Sequence, residues 1–156
     1  MEHGEILTKP VMTEVLFDEM YSDPTKGNVR LESLPHIQTL HLQWYGILSH
    51  QDHTKFANMT IDHIRQKHAT RWIGDVYHII EPLPVEIAHY IADTWFPQAV
   101  KAGISKLAII MPAIEKAKPS TNKIAEVLAL KHSDLLKTFP TRSFISRQAA
   151  REWVCA

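Results

Sequence analysis

Strict alternation between apolar and polar side chains runs from Thr39 to Gly46, with Leu40, Leu42 and Trp44 on one side and Thr39, His41 and Gln43 on the other. A period of two belongs to a strand, here one with a face in the core and a face in water. At Ser49 the period lengthens. Ser49 and Asp52 stand at capping-box spacing with Asp in the place of Glu, and Phe56, Ala57, Ile61 and Ile64 recur three and four apart. An amphipathic helix is therefore expected to run to about His68. Thr70 to Tyr77 is rich in β-branched and aromatic residues and reads as the next strand. Beyond a loop with Pro82 and Pro84, the residues Val85, Ala88, Ile91, Ala92 and Trp95 mark the apolar face of a second helix, with Pro84 at its first position. Pro97 should bend or restart that helix, and Gly103 should close it in a left-handed conformation.

Leu107 to Met111 is apolar without alternation, as in a strand covered on both faces, so it is expected at the sheet centre and ended by Pro112. A helix starting near Ser120 would bury Ile124, Val127, Leu128 and Leu135; Leu136 to Phe139 reads as a short strand. Ser146 can cap a last helix whose inner face is Ala149, Ala150, Trp153 and Val154. The first 35 residues read as one or two edge strands joined by a turn over residues 22–28. Strands alternating with helices at this spacing predict an α/β fold: a four- to five-stranded mixed sheet with helices packed mainly on one face. The whole of 1–156 reads as a single domain, with 1–30 as an N-terminal arm or edge strands.

Composition narrows the function classes. The 156 residues carry 17 basic and 17 acidic side chains, which lacks the basic excess of a nucleic-acid binder. No apolar run is long enough for a membrane helix, the acidic start lacks the order of a signal peptide, and the single cysteine, Cys155, allows no intrachain bridge. A cytoplasmic location is expected. The charge is balanced only in total, because residues 1–97 carry 13 acidic and 7 basic side chains while 98–156 carry 4 and 10. Such a two-ended chain can have two solvated faces, or it can self-associate head to tail or steer an oppositely charged partner.

Three clusters in this order, Trp44-Tyr45-Gly46, Trp72-Ile73-Gly74-Asp75 and Trp95-Phe96-Pro97 leading to Gly103-Ile104-Ser105-Lys106-Leu107-Ala108, are completed by the tail from Phe139 to Trp153. The set resembles the SpoIIAA-like branch of the STAS superfamily, in particular its small stand-alone bacterial members, over roughly residues 25 to 155. The resemblance implies a non-enzymatic module that works through a protein partner or as a homo-oligomer such as a dimer, or that holds a small apolar ligand. Regulatory members of that superfamily switch through a serine or threonine at the start of the helix after the strand that Thr70 to Tyr77 matches. Val76 to Asp93 contains neither residue, so that switch does not carry over.

Read from the residues themselves, Trp44, Trp72, Trp95 and Trp153 are packing anchors, each in register with an apolar face. Gly46 and Gly74 suit a turn or a close helix approach, and Gly103 a positive φ. Asp75, inside an apolar strand, must be paired, with Arg71 or loop amides as expected partners, or else it faces a ligand at a strand end. The candidate ligand or partner pocket comprises Tyr77, His78, His89, Ile91 and Trp95, near the carboxyl end of the sheet, where α/β folds bind ligands. Ten histidines raise the question of metal, but His50 and His53, with His63 and His68 further along, complete no ligand motif, so they read as solvated and no metal or cofactor is expected. No G-x-S-x-G elbow or glycine-rich phosphate loop is present, and Cys155 lies too near the end for a protected nucleophile.

Overall fold

A computed structural model describes residues 13–19, 27–47 and 49–156. Most of the turn expected over residues 22–28 and most of the N-terminal arm fall outside them. Strands β1 (Glu14–Glu19), β2 (Asn28–Leu34) and β3 (Thr39–Gly46) form an antiparallel meander. Helix α1 (His50–Lys67) crosses to β4 (Arg71–Ile79), which pairs parallel with β3. Then come α2 (Val85–Tyr90), a π-helical turn (Ile91–Trp95) and α3 (Phe96–Ala102), leading to the parallel strand β5 (Lys106–Ile110). Helices α4 (Lys118–Lys131) and α5 (Ser133–Thr138) precede the parallel strand β6 (Thr141–Phe144), and α6 (Arg147–Cys155) ends the chain.

The sheet has six strands in the order β1-β2-β3-β4-β5-β6. This exceeds the expected four or five because the N-terminal hairpin contributes two full strands. When neighbouring parallel strands follow one another in the chain, crossovers of one hand set every connecting helix on the same face. Accordingly Phe56 and Ile64 of α1, Ala88 of α2, Trp95, Phe96 and Ile124 share one core with Leu40, Leu42, Trp44, Trp72 and Leu107. On the opposite face a smaller cluster joins Ala150 and Val154 of α6 to Ile73, Ala108 and Ile110. Among the described residues α6 is the one helix on that face.

Local signals explain several elements. Ser49 Oγ accepts the Asp52 amide at 3.0 Å, and Ser146 Oγ accepts the Ala149 amide at 3.1 Å, so both expected N-caps form. Gly46 and Gly103 take positive φ of 73° and 127°. Pro97 restarts its helix as expected, standing in the first turn of α3. Lacking an amide hydrogen it cannot close an ordinary turn, and the chain widens into the π turn just before it, with the Phe96 amide reaching Ile91 O.

Four expectations about elements need correction. Leu136 to Phe139 is not a strand, since the Leu135 and Leu136 amides both bond His132 O in α5, and the strand begins only after Pro140. β5 is buried on both faces yet lies next to the β6 edge, not at the centre, because α6 supplies its second cover. On α2 Ala88 is buried as expected, but its buried neighbour is Ile87, while Val85 is exposed. Finally, Thr39, His41 and Gln43 are not on a wet face; all three are buried, His41 and Gln43 beneath α6 and Thr39 with its hydroxyl donating to Ile37 O.

Candidate functional site

The alternation of β3 places His41 and Gln43 on the α6 side of the sheet, with Glu32 opposite His41 on β2 and Asp75 opposite Gln43 on β4. Such a row of polar groups must be satisfied once it leaves water. His41 Nε2 lies 2.9 Å from Asp75 Oδ2, and Arg151 of α6 approaches His41 Nδ1 with Nη2 at 3.0 Å and Nε at 3.3 Å. Arg nitrogens only donate, so Nδ1 must accept and the proton sits on Nε2, facing Asp75. His41 is thus neutral. Burial, at 0% exposure, holds its pKa below the ordinary histidine value despite the Asp75 carboxylate.

Asp75 is 3% exposed. Burial pulls its pKa up, but the His41 hydrogen bond and the Tyr77 amide, 3.0 Å from Oδ1, hold it below the usual carboxylate value. Arg147 lies 3.8 Å from Oδ2. The partner expected for Asp75, Arg71, turns instead to Ile37 O at 3.0 Å, and the amide that Asp75 accepts, that of Tyr77, belongs to β4 and not to a loop. Gln43 links the second half of the network. Its Oε1 accepts from Arg147 Nη2 at 2.9 Å and from the Tyr45 hydroxyl at 2.6 Å, and its Nε2 donates to Glu32. Arg147 and Arg151, one helical turn apart, thereby bind α6 to three strands.

Where this network reaches solvent, a cleft of about 420 Å3 opens at the carboxyl ends of β4 and β5, against the first turn of α6. Asp75, Tyr77, His78, Ile110, Ile145 and Arg147 line it. The His78 ring stacks on Tyr45 with centroids 4.9 Å apart and meets Tyr77 edge-on at 5.1 Å.

Of the five expected pocket residues, Tyr77 and His78 meet at this cleft. The other three do not join them. Trp95 is buried among the helices on the opposite face, its Nε1 donating to Thr60 Oγ1 at 2.9 Å, and Ile91 packs against the same core. His89 sits on the surface 4.0 Å from Asp93, a carboxylate that Lys131 and His132 also approach. The tryptophan anchors Trp44, Trp72 and Trp95 are buried, and Trp153, half-buried, lies under Lys106 Nζ at 4.6 Å. His53 is not solvated. It is 4% exposed and packs on the Trp44 ring at 4.6 Å, where burial lowers its pKa to about 4.

Sequence reasoning missed Glu32, His41, Gln43, Tyr45, Arg147 and Arg151. The signal was present as Arg147 and Arg151 four apart on the last helix and as the polar register of β3. Among the described residues no group of three or more His, Cys, Asp and Glu is placed to hold a metal ion, and no helix is long and apolar enough to cross a membrane. A catalytic acid or base must reach its substrate, and His41 is sealed. The side chains that reach the cleft offer the Arg147 guanidinium, the His78 imidazole and the Tyr77 hydroxyl, beside the aliphatic walls of Ile110 and Ile145. Comparison with known proteins finds no family model, no curated protein and no solved structure that matches this chain.

Proposed function

We propose that this chain is a non-enzymatic binding module of the STAS-like kind, acting through a protein partner or a second copy of itself seated at the carboxyl-end cleft. One observation carries the reading. Tyr77 and Ile145 at the cleft, and Ile47 and Ile80 at the same end of the sheet, are exposed apolar side chains, beside a half-exposed Arg147. Exposed apolar groups gathered at one place, with an arginine among them, are the composition of a contact surface. The consecutive parallel strands with their crossover helices on one face agree with the architecture that the resemblance implies. A carrier of a metabolite-sized ligand is less well supported, because the space between sheet and helices amounts to about 70 Å3, against the several hundred Å3 such sites occupy.

The test uses native mass spectrometry of the full chain isolated from its own host, beside the variant Ile145→Asp. Ile145 is 80% exposed, so the change leaves the fold intact. A homo- or hetero-complex retained by the parent and lost by the variant is the expected result. Monomers in both preparations, or a complex indifferent to the substitution, would refute the reading.

A further inference from the structure

The small space between sheet and helices has a chemistry of its own. It lies beside Gly74, in the middle of β4, and is walled by Trp44, Trp72, Trp95, Leu107 and Ile109. A glycine within a strand weakens it and usually marks a bulge or a close backbone approach. Neither falls on Gly74, which pairs regularly with Leu42, the register shift of β4 coming after Asp75. The φ of Gly74 is not in the left-handed region, and a Cβ built there would meet nothing nearer than Trp72 Nε1 at 3.5 Å, an ordinary contact. What a methyl group would remove is cavity.

The second observation is independent. His53 of α1 lines the same cavity, is more than nine-tenths buried, and its Nδ1 has no hydrogen-bond partner. A buried polar atom left unpaired is costly and rare. The ring is neutral at physiological pH because burial lowers its pKa to about 4. His53 and Leu83 also line a surface dent with Ile47, Pro82 and Pro84, so these two side chains stand between the cavity and solvent.

We propose that the Gly74 cavity binds a small neutral alcohol, its hydroxyl on His53 Nδ1 and its carbons against the indoles. A hydroxyl can donate or accept, so it satisfies either tautomer of the ring. An ion is excluded because no opposite charge lines the cavity. Size is set by volume. A dry cavity of about 150 Å3 takes benzene, so one of about 70 Å3, roughly half as large, suits a molecule of about three heavy atoms. The site is on the other face from the cleft and does not rest on the partner reading.

The experiment is an NMR titration of the full chain with ethanol, following the His53 and Trp72 ring resonances, with xenon under pressure as a purely apolar probe. Saturable shifts at both rings are expected. In Gly74→Ala both probes should bind more weakly. In His53→Leu ethanol should weaken about tenfold, the scale of one lost hydrogen bond, while xenon is retained. Should Gly74→Ala disturb the amide spectrum, Ala57→Val narrows the same space from α1 and must give the same loss. Shifts that do not saturate, affinity indifferent to every variant, or an ordered water on Nδ1 that ethanol leaves in place would each overturn the proposal.

Discussion

The two faces of this sheet are closed by opposite means. On the crossover face, helices α1 to α4 bury three tryptophans and a continuous aliphatic layer, and the polar groups are few. On the other face one nine-residue helix covers β4 to β6 with two alanine- and valine-sized contacts, and its two arginines complete the cover over β3. Apolar burial is non-directional and tolerates small voids such as the one beside Gly74; a hydrogen-bonded network tolerates no missing member. The first face supplies bulk stability. The second fixes where α6 begins, and with it the wall of the cleft.

Single truncations on the two faces should therefore fail differently. Trp95→Ala removes an indole from the crossover core, including its bond to Thr60, and should cost about 4 kcal/mol. Asp75→Ala deletes a far smaller side chain but strands His41 between two arginines, and should cost about 3 kcal/mol or more. Chemical denaturation of both variants measures the difference. If Asp75→Ala proved nearly neutral, the polar face would not hold α6 and the contrast between the faces would collapse. A double replacement, Asp75→Leu with His41→Leu, sharpens the point: apolar groups on both sides leave one fewer buried charge unpaired, so it should be milder than the two single effects added together.

Acid should expose the next difference. His53, in the apolar face, has a folded pKa of about 4 against 6.5 unfolded. A histidine whose folded pKa is depressed contributes its full stability above 6.5 and loses it as pH falls toward 4; the whole effect is about 3 kcal/mol. His41 and His63 are lowered too and add in the same direction. Asp75, a lowered carboxylate, acts elsewhere, since its contribution is present above 3.8 and is lost only below it. Stability measured against pH should thus decline between 6.5 and 4, and His53→Phe should flatten part of that decline. A profile unchanged by the substitution would place His53 in solvent.

The sequence was legible where one physical signal acted alone. A period of two located β3, a period of three-to-four α1, β-branched and aromatic composition β4 and an unbroken apolar run β5, and the serines at 49 and 146 located two caps, because those signals are local. Legibility failed where a tertiary partner decided the outcome. Nothing near His41 in sequence says that Arg151 will cover it, so a polar alternation was taken for water. Leu136 to Phe139 fits a strand or a turn of helix equally well, and the His132 carbonyl settled it. The candidate pocket was half legible for the same reason: Tyr77 and His78 follow from the strand end, whereas His89, Ile91 and Trp95 follow a helix whose direction sets them elsewhere. Arg147, across the cleft, comes from the far end of the chain.

The smallest effect separates the faces most cleanly. Ser49 and Ser146 perform the same capping bond, at 3.0 and 3.1 Å, on helices of 18 and 9 residues. Replacing either by alanine should cost about 1 kcal/mol of global stability. The local consequences should diverge. α1 is anchored along its length by Phe56, Ala57, Ile61 and Ile64, so its amides should still exchange only through global unfolding. α6 rests on Ala150, Val154 and two arginines, so in Ser146→Ala its amides should exchange through a local opening of lower free energy. That opening would release Arg147 and widen the cleft. Native-state hydrogen exchange of the two variants decides it: equal protection of α1 and α6 would mean that the polar face is as firmly closed as the apolar one.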